Sequence, residues 1–122
     1  MNEYRILVVD DEEDLCEILK FNLENEGYEV DTANSAEDAL KMDISTYDLL
    51  LLDVMMGEIS GFKMASMLKK EKKTAQIPII FITAKDTEND TVTGFNIGAD
   101  DYISKPFSLR EVAARVKAVL RR

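Results

Sequence analysis

The chain has 122 residues, 46% hydrophobic and 32% charged, which suits one compact domain with a real apolar core and leaves little room for a second. Twenty-four Asp and Glu against fifteen Lys and Arg give a formal net charge of −9, so direct nucleic-acid binding by this segment is not expected, whereas a metal cation would be attracted. With no His and a single Cys, the chain offers no His general base, no ordinary zinc site, no internal disulfide and no phosphohistidine, so a phosphoryl group handled here comes from another molecule.

No apolar run approaches the ~20 residues a membrane helix needs. The first five residues lack the basic and apolar stretches of a signal peptide, so a cytoplasmic protein with no membrane contact is expected. The first apolar run, Ile6–Val9 (ILVV), reads as a strand and ends at Asp10 and Asp11. A helical pattern follows in Leu15, Ile18, Leu19 and Leu23, and Gly27 stands where a C-terminal cap belongs. Cys16 lies among these apolar positions and reads as a buried structural thiol. Tyr28–Thr32 alternates and reads as an edge strand. Ser35 caps a short helix carrying Ala36, Ala39 and Leu40. The continuously apolar run Leu49–Leu52 is a strand buried on both faces, and it runs into Asp53.

Gly61 to Lys70 reads as a third helix with Ala65 and Leu68 turned inward, and Ile79–Thr83 as another buried strand. A fourth helix, roughly Asp86 to Ile97, is the least regular, because Val92, Phe95 and Ile97 make no clean stripe. Tyr102–Ser104 is a short edge strand followed by Lys105. Ser108 and Glu111 form a capping box, and the last helix shows Leu109, Val112, Ala113, Val116 and Leu120 on one stripe. Five strands alternating with five helices predict a parallel sheet covered on both faces. Placing the three continuously apolar strands in the middle gives the order 2-1-3-4-5, a flavodoxin-like (βα)5 three-layer α/β sandwich.

In such a sheet Asp10, Asp11, Asp53, Thr83 and Lys105 all fall at the C-terminal ends of strands, and strands 1 and 3 flank the switch point where ligands bind. Each residue has an ordinary reading by itself. Asp10 and Asp11 suit the cap and first turn of a helix. Thr83 suits a strand-end hydroxyl, Lys105 a solvated charge and Asp53 the start of a turn. Their convergence on one edge favours a site. Three close carboxylates call for a hard divalent cation, and Mg²⁺ fits best, with Mn²⁺ a plausible substitute. Asp53 is then the candidate nucleophile for a phosphoryl group, with Lys105 and Thr83 cradling its oxygens. A carboxylate is expected to be ionised at neutral pH without a general base.

At this point the sequence resembles the receiver domains of two-component response regulators over essentially its whole length. The stretches that carry the resemblance are ILVVDDEEDL, DLLLLDVMMGEISGF, IPIIFITA and GADDYISKPFSLREVAARVKAVLRR. The resemblance implies that Asp53 is phosphorylated by a sensor histidine kinase. It implies that Asp10, Asp11, Asp53 and the backbone carbonyl of Met55 hold Mg²⁺, that Thr83 and Tyr102 form the switch, that Lys105 pairs with a phosphoryl oxygen, and that the Lys105–Pro106 bond is cis. Gly57 stands where the family commonly has Pro, which puts the rigidity of that loop in question.

The C-terminal stretch is similar to the OmpR/PhoB-like class, whose receivers precede a winged-helix DNA-binding domain. The chain then reads as a receiver at 1–122 that reaches DNA only through an effector domain absent here. In that class the fourth helix, fifth strand and fifth helix form a homodimer face on activation, to which Phe95, Asp100, Asp101, Glu111, Arg115, Val116 and Lys117 would contribute. Thr91 replaces a common basic residue there and Ile97 lies in the same face, so an intersubunit ion pair could be missing. Three rival readings are a Mg²⁺-dependent phosphatase, a phosphorylation-independent interaction scaffold and a flavodoxin. Met55 stands where the phosphatase needs a second carboxylate. Retention of Asp53, Lys105 and the acidic pair counts against the scaffold, and the first loop lacks the Ser/Thr-rich cradle of a flavodoxin.

Overall fold

The computed structural model of the chain describes residues 4–84 and 96–122. The strands are β1 (Arg5–Val9), β2 (Glu29–Ala33), β3 (Leu49–Asp53), β4 (Ile79–Thr83) and β5 (Asp101–Ser104). The helices are α1 (Glu13–Asn25), α2 (Ala36–Leu40), α3 (Gly61–Lys69) and α4 (Leu109–Leu120), with a 3-10 turn at Ile44–Thr46. All strand pairs are parallel, in the order β2-β1-β3-β4-β5. Every residue of β3 and β4 is buried, as continuous apolar runs require, while the edge strands β2 and β5 keep exposed or half-buried positions. The predicted helix over 86–97 lies outside the described residues except at its last two positions, which are helical. Val92, Thr91 and Phe95 are therefore not placed.

Period-2 alternation sends neighbouring strand residues to opposite faces. Ile6, Val8, Leu49, Leu51, Ile80 and Ile82 pack under α1 and α4, whereas Leu7, Val9, Leu50, Leu52 and Phe81 pack under α2 and α3. Each fully buried Leu or Ile contributes about 1.5–3 kcal/mol of transfer free energy, so these two layers hold the sheet. Gly27, at φ +102, ends α1 in a left-handed residue, and Ser35 and Ser108 cap α2 and α4 as predicted.

Four details differ from the sequence reading. Ile18 is half exposed and joins the exposed Phe21 on the outer side of α1, whose buried line is Cys16, Leu19 and Leu23. Ile18 follows Leu15 by three residues, but it lies one residue-step, about 100°, from the Leu15–Leu19–Leu23 line. In α4 the buried positions are Val112, Val116 and Val119, so Val119 completes the stripe and Val116 is a core residue, not part of an exposed dimer face. The Ser108–Glu111 capping box is half formed. The Glu111 N–H donates to Ser108 Oγ at 3.0 Å, while the Glu111 carboxylate accepts from Arg115 Nε at 3.1 Å. Finally, α3 has an N-cap the sequence reading passed over, Ser60, whose Oγ accepts from the Lys63 N–H at 3.1 Å.

Candidate phospho-acceptor and metal site

The sheet delivers each predicted site residue to one edge. Asp10 follows β1, with its N–H donating to the Ala33 carbonyl at 3.1 Å. Asp53 closes β3 opposite Ile82, and Thr83 closes β4 opposite Ser104. Lys105 follows β5, its N–H donating to the Thr83 carbonyl at 2.7 Å. Asp10, Asp53 and Thr83 are buried, and Asp11 is exposed at the mouth. The Lys105–Pro106 peptide is cis, as expected.

Oxygens of Asp10, Asp11 and Asp53 lie within 4.8 Å of one another, a spacing that one cation can bridge. Asp10 Oδ1 accepts the Glu12 N–H at 2.9 Å in the turn before α1, but the N-cap is Glu12 with no side-chain cap and the first turn holds Glu13 and Asp14, so the capping role read for the acidic pair does not form. Asp10 Oδ2 is the buried side-chain oxygen that lacks a hydrogen-bond partner among the described residues. Three gathered carboxylates outnumber the Lys105 ammonium, which lies 3.3 Å from this oxygen, and leave negative charge that a divalent cation would balance, so the donor set fits Mg²⁺.

Lys105 is the ammonium that faces this cluster. Its Nζ lies 3.3 Å from Asp10 Oδ2, 3.7 Å from Asp53 Oδ1 and 2.9 Å from Glu12 Oε2. Burial pulls the lysine down, but the Glu12 hydrogen bond and the charges of Asp10 and Asp53 outweigh it and leave its pKa raised. Burial also raises Asp10, against the Glu12 N–H and Lys105. Asp53 is pushed up to about 7, first by burial and then by the Asp10 charge, against Lys105 and the Met55 N–H. Burial and the Asp10 charge thus oppose ionisation of Asp53, as expected for carboxylates brought together without a compensating cation. A bound cation would supply the missing compensation, because a nearby positive charge favours the carboxylate.

The remaining predicted residues are placed as follows. The Tyr102 ring is partly buried, 5.6 Å from the Phe81 ring, which meets Phe62 edge-on at 4.9 Å. Met55 has an exposed side chain beside the site. Gly57 adopts φ +49, a left-handed value closed to Pro, so this loop follows a path the common Pro could not take. Arg115 is held within its own chain by Asp101 at 2.9 and 3.0 Å and by Glu111 at 3.1 Å. Asp100 accepts the Ile79 N–H at 3.0 Å and pairs with Arg122 at 3.5 Å. Lys117 is exposed, and Ile97 packs against the α2–α3 core layer.

Two groups of contacts had no signal in the sequence. The Asp10 carbonyl accepts from Cys16 Sγ at 3.3 Å and from Asn34 Nδ2 at 3.2 Å, which pins the β1–α1 turn to the end of β2. Burial, followed by the Asp10 charge, pushes the Cys16 thiol up to about 11, consistent with an inert structural role. Gly61 packs directly on the Asp53 backbone.

Comparison with known proteins agrees with this geometry. Residues 6–117 match the response regulator receiver domain family. The chain is 50% identical over 119 residues to the alkaline phosphatase synthesis transcriptional regulatory protein PhoP of Bacillus subtilis, covering 97% of this chain and 49% of that protein. It is 45% identical over 119 residues to the phosphate regulon transcriptional regulatory protein PhoB of Rhizobium meliloti, covering 97% of this chain and 52% of that protein. The chain thus spans about half the length of these curated relatives. Among solved structures, the non-phosphorylated HemR receiver domain of Leptospira biflexa superposes with a TM-score of 0.89 at 35% identity, covering 97% of this chain and 94% of that one. The BeF3-activated DrrB receiver domain gives 0.89 at 31% identity, covering 99% and 100%. A flavodoxin-like sheet with its carboxylates and lysine gathered at one edge, and a family match over nearly the whole chain, establish that this protein belongs to the response regulator receiver domain family.

Proposed function

We propose that Asp53 accepts a phosphoryl group from a sensor histidine kinase in a Mg²⁺-dependent reaction, and that the acyl phosphate switches a surface controlling an effector. The observation that carries this reading is the placement of Lys105 Nζ 3.3 Å from Asp10 and 3.7 Å from Asp53, above carboxylates spaced for one cation. Asp10, Asp11, Asp53 and the Met55 carbonyl would hold Mg²⁺, or Mn²⁺ in its place. The ion supplies charge neutralisation and favours the ionised Asp53.

Asp53 is the nucleophile. Its carboxylate oxygen forms the new O–P bond as the donor's P–N bond breaks. Lys105 neutralises a phosphoryl oxygen, and the Thr83 hydroxyl, buried at the end of β4, is within the same strand-end set. Movement of Thr83 toward the phosphoryl group leaves space that admits Tyr102, which biases the surface formed by the 86–97 segment, β5 and α4. Arg115, now paired with Asp101 and Glu111 in its own chain, would exchange those partners for the same residues of a second copy in a phosphorylation-driven homodimer. Asp100 and Lys117 would extend this charged set, together with Phe95, which lies outside the described residues. The protein acts in this reading as a phospho-acceptor in the cytoplasm, not as an enzyme with turnover, and reaches DNA only through an effector domain. That effector is a transcriptional regulator by analogy with the printed roles of PhoP and PhoB.

The test is an intact-mass spectrum after incubation with Mg²⁺ and a small acyl-phosphate donor, beside Asp53→Asn. A single phosphoryl adduct that disappears in the variant and without Mg²⁺ supports the phospho-acceptor. The absence of any adduct would leave a receiver-fold interaction scaffold.

A further inference from the structure

Glu12 has no part in the reaction described above, yet its carboxylate is the nearest acidic partner of Lys105. Glu12 Oε2 lies 2.9 Å from Lys105 Nζ, against 3.3 Å for Asp10 Oδ2 and 3.7 Å for Asp53 Oδ1. The Glu12 side chain is 61% exposed and that of Lys105 20%, whereas Asp10 is fully buried. The lysine is therefore drawn toward the rim of the site. We propose that Glu12 is a positioning residue that holds the Lys105 ammonium back from the phospho-acceptor in the resting state and so slows phosphorylation of Asp53. This inference rests on the reading of Asp53 as phospho-acceptor.

The backbone of Glu12 makes the hold a defined one. Its N–H donates to Asp10 Oδ1 at 2.9 Å, and its carbonyl accepts the Cys16 N–H at 3.1 Å in the first turn of α1. The carboxylate thus starts from a point tied both to the acidic site and to the helix, and only its own short stem is free to move. Lys105 faces Glu12, Asp10 and Asp53 together. A phosphoryl group arriving at Asp53 brings anionic oxygens that compete with Glu12 for the ammonium, which already lies 3.7 Å from Asp53 Oδ1. The Glu12 contact belongs to the ground state and is weakened on the way to the transition state, and such a contact lowers the rate. Because Glu12 is exposed, the effect is moderate and screened by salt.

The experiment measures the rate of phosphoryl-adduct formation from acetyl phosphate at saturating Mg²⁺ by intact mass. It compares the wild-type chain, Glu12→Gln, Lys105→Met and the double variant, the slow Lys105→Met proteins being followed over hours. Glu12→Gln should react about two- to fivefold faster than wild type, the scale of one exposed ion pair, and the gain should shrink as KCl is raised. In the Lys105→Met background the same substitution should change nothing, because Glu12 acts through the lysine. Equal or slower reaction of Glu12→Gln would overturn the proposal. An undiminished gain without Lys105 would also overturn it, showing that Glu12 merely repels the anionic donor. Failure of wild type itself to form an adduct would overturn the phospho-acceptor reading and this inference with it.

Discussion

Gly61 lies directly over the backbone carbonyl of Asp53. A β-carbon built on Gly61 would collide with the Asp53 carbonyl oxygen and come within 3.1 Å of Val54 Cα, and these neighbours are main-chain atoms that cannot swing aside. The Gly61 N–H meanwhile donates to the Val54 carbonyl at 3.0 Å. The first residue of α3 thus packs directly on the end of β3. Gly61→Ala should push α3 and the end of β3 apart, costing about 1–3 kcal/mol as an overpacked contact does. It should also slow adduct formation on Asp53. Urea unfolding and the mass assay read the two effects, and wild-type values in both would show that the contact relaxes freely.

The buried carboxylates make stability depend on pH. Asp53 rises from 3.8 to about 7 in the folded chain, and Asp10 is raised as well. A raised folded-state pKa gives stability that is fully present below the unfolded value and is lost as pH rises through the folded one. In the absence of divalent cations, wild type and Asp53→Asn should therefore be similar near pH 4. Near pH 8 the variant should be more stable by about 1–3 kcal/mol, the scale of a poorly compensated buried charge. Added Mg²⁺ should narrow that gap by stabilising wild type more than the variant. A gap that does not change with pH, measured by chemical denaturation, would contradict the raised Asp53.

Tyr102 packs against Phe81 in the core layer under α3, and its neighbour Asp101 pairs with Arg115 of the proposed dimer face. Tyr102→Ala should leave adduct formation within about twofold of wild type while weakening phosphorylation-driven dimerisation by roughly 5- to 150-fold, the range of ordinary coupling energies. Sedimentation of the phosphorylated proteins measures this. Equal dimerisation would remove the aromatic from the switch.

Gly57 meets nothing within 4 Å of a built β-carbon, so its backbone angle, not space, restricts substitution. At φ +49, Gly57→Ala should cost about 1 kcal/mol, and Gly57→Pro should cost more or force the loop onto a new path, because the Pro ring requires φ near −65°. Urea midpoints of the two variants test the order. A Pro variant as stable as wild type would mean that the loop exchanges readily between both paths.

The sequence by itself determined the sheet and which polar residues gather at its C-terminal edge. The apolar runs at Ile6–Val9, Leu49–Leu52 and Ile79–Thr83 could be satisfied only by strands buried on both faces, and the polar residue ending each run had to reach the same edge of a parallel sheet. Those readings rest on local pattern and chain order, which a sequence carries directly. Tertiary packing decided what depends on contacts between distant segments. Ile18 shows this, since it follows Leu15 at helical spacing yet lies half exposed on the outer side of α1. The pKa of Asp53 near 7 comes from burial and from Asp10, forty-three positions away, and not from the aspartate itself. The partnership of Glu12 with Lys105 joins the β1–α1 turn to the end of β5, and no spacing rule relates those two positions. Local propensity writes the elements, but the balance of charge inside the site exists only once the strands lie side by side.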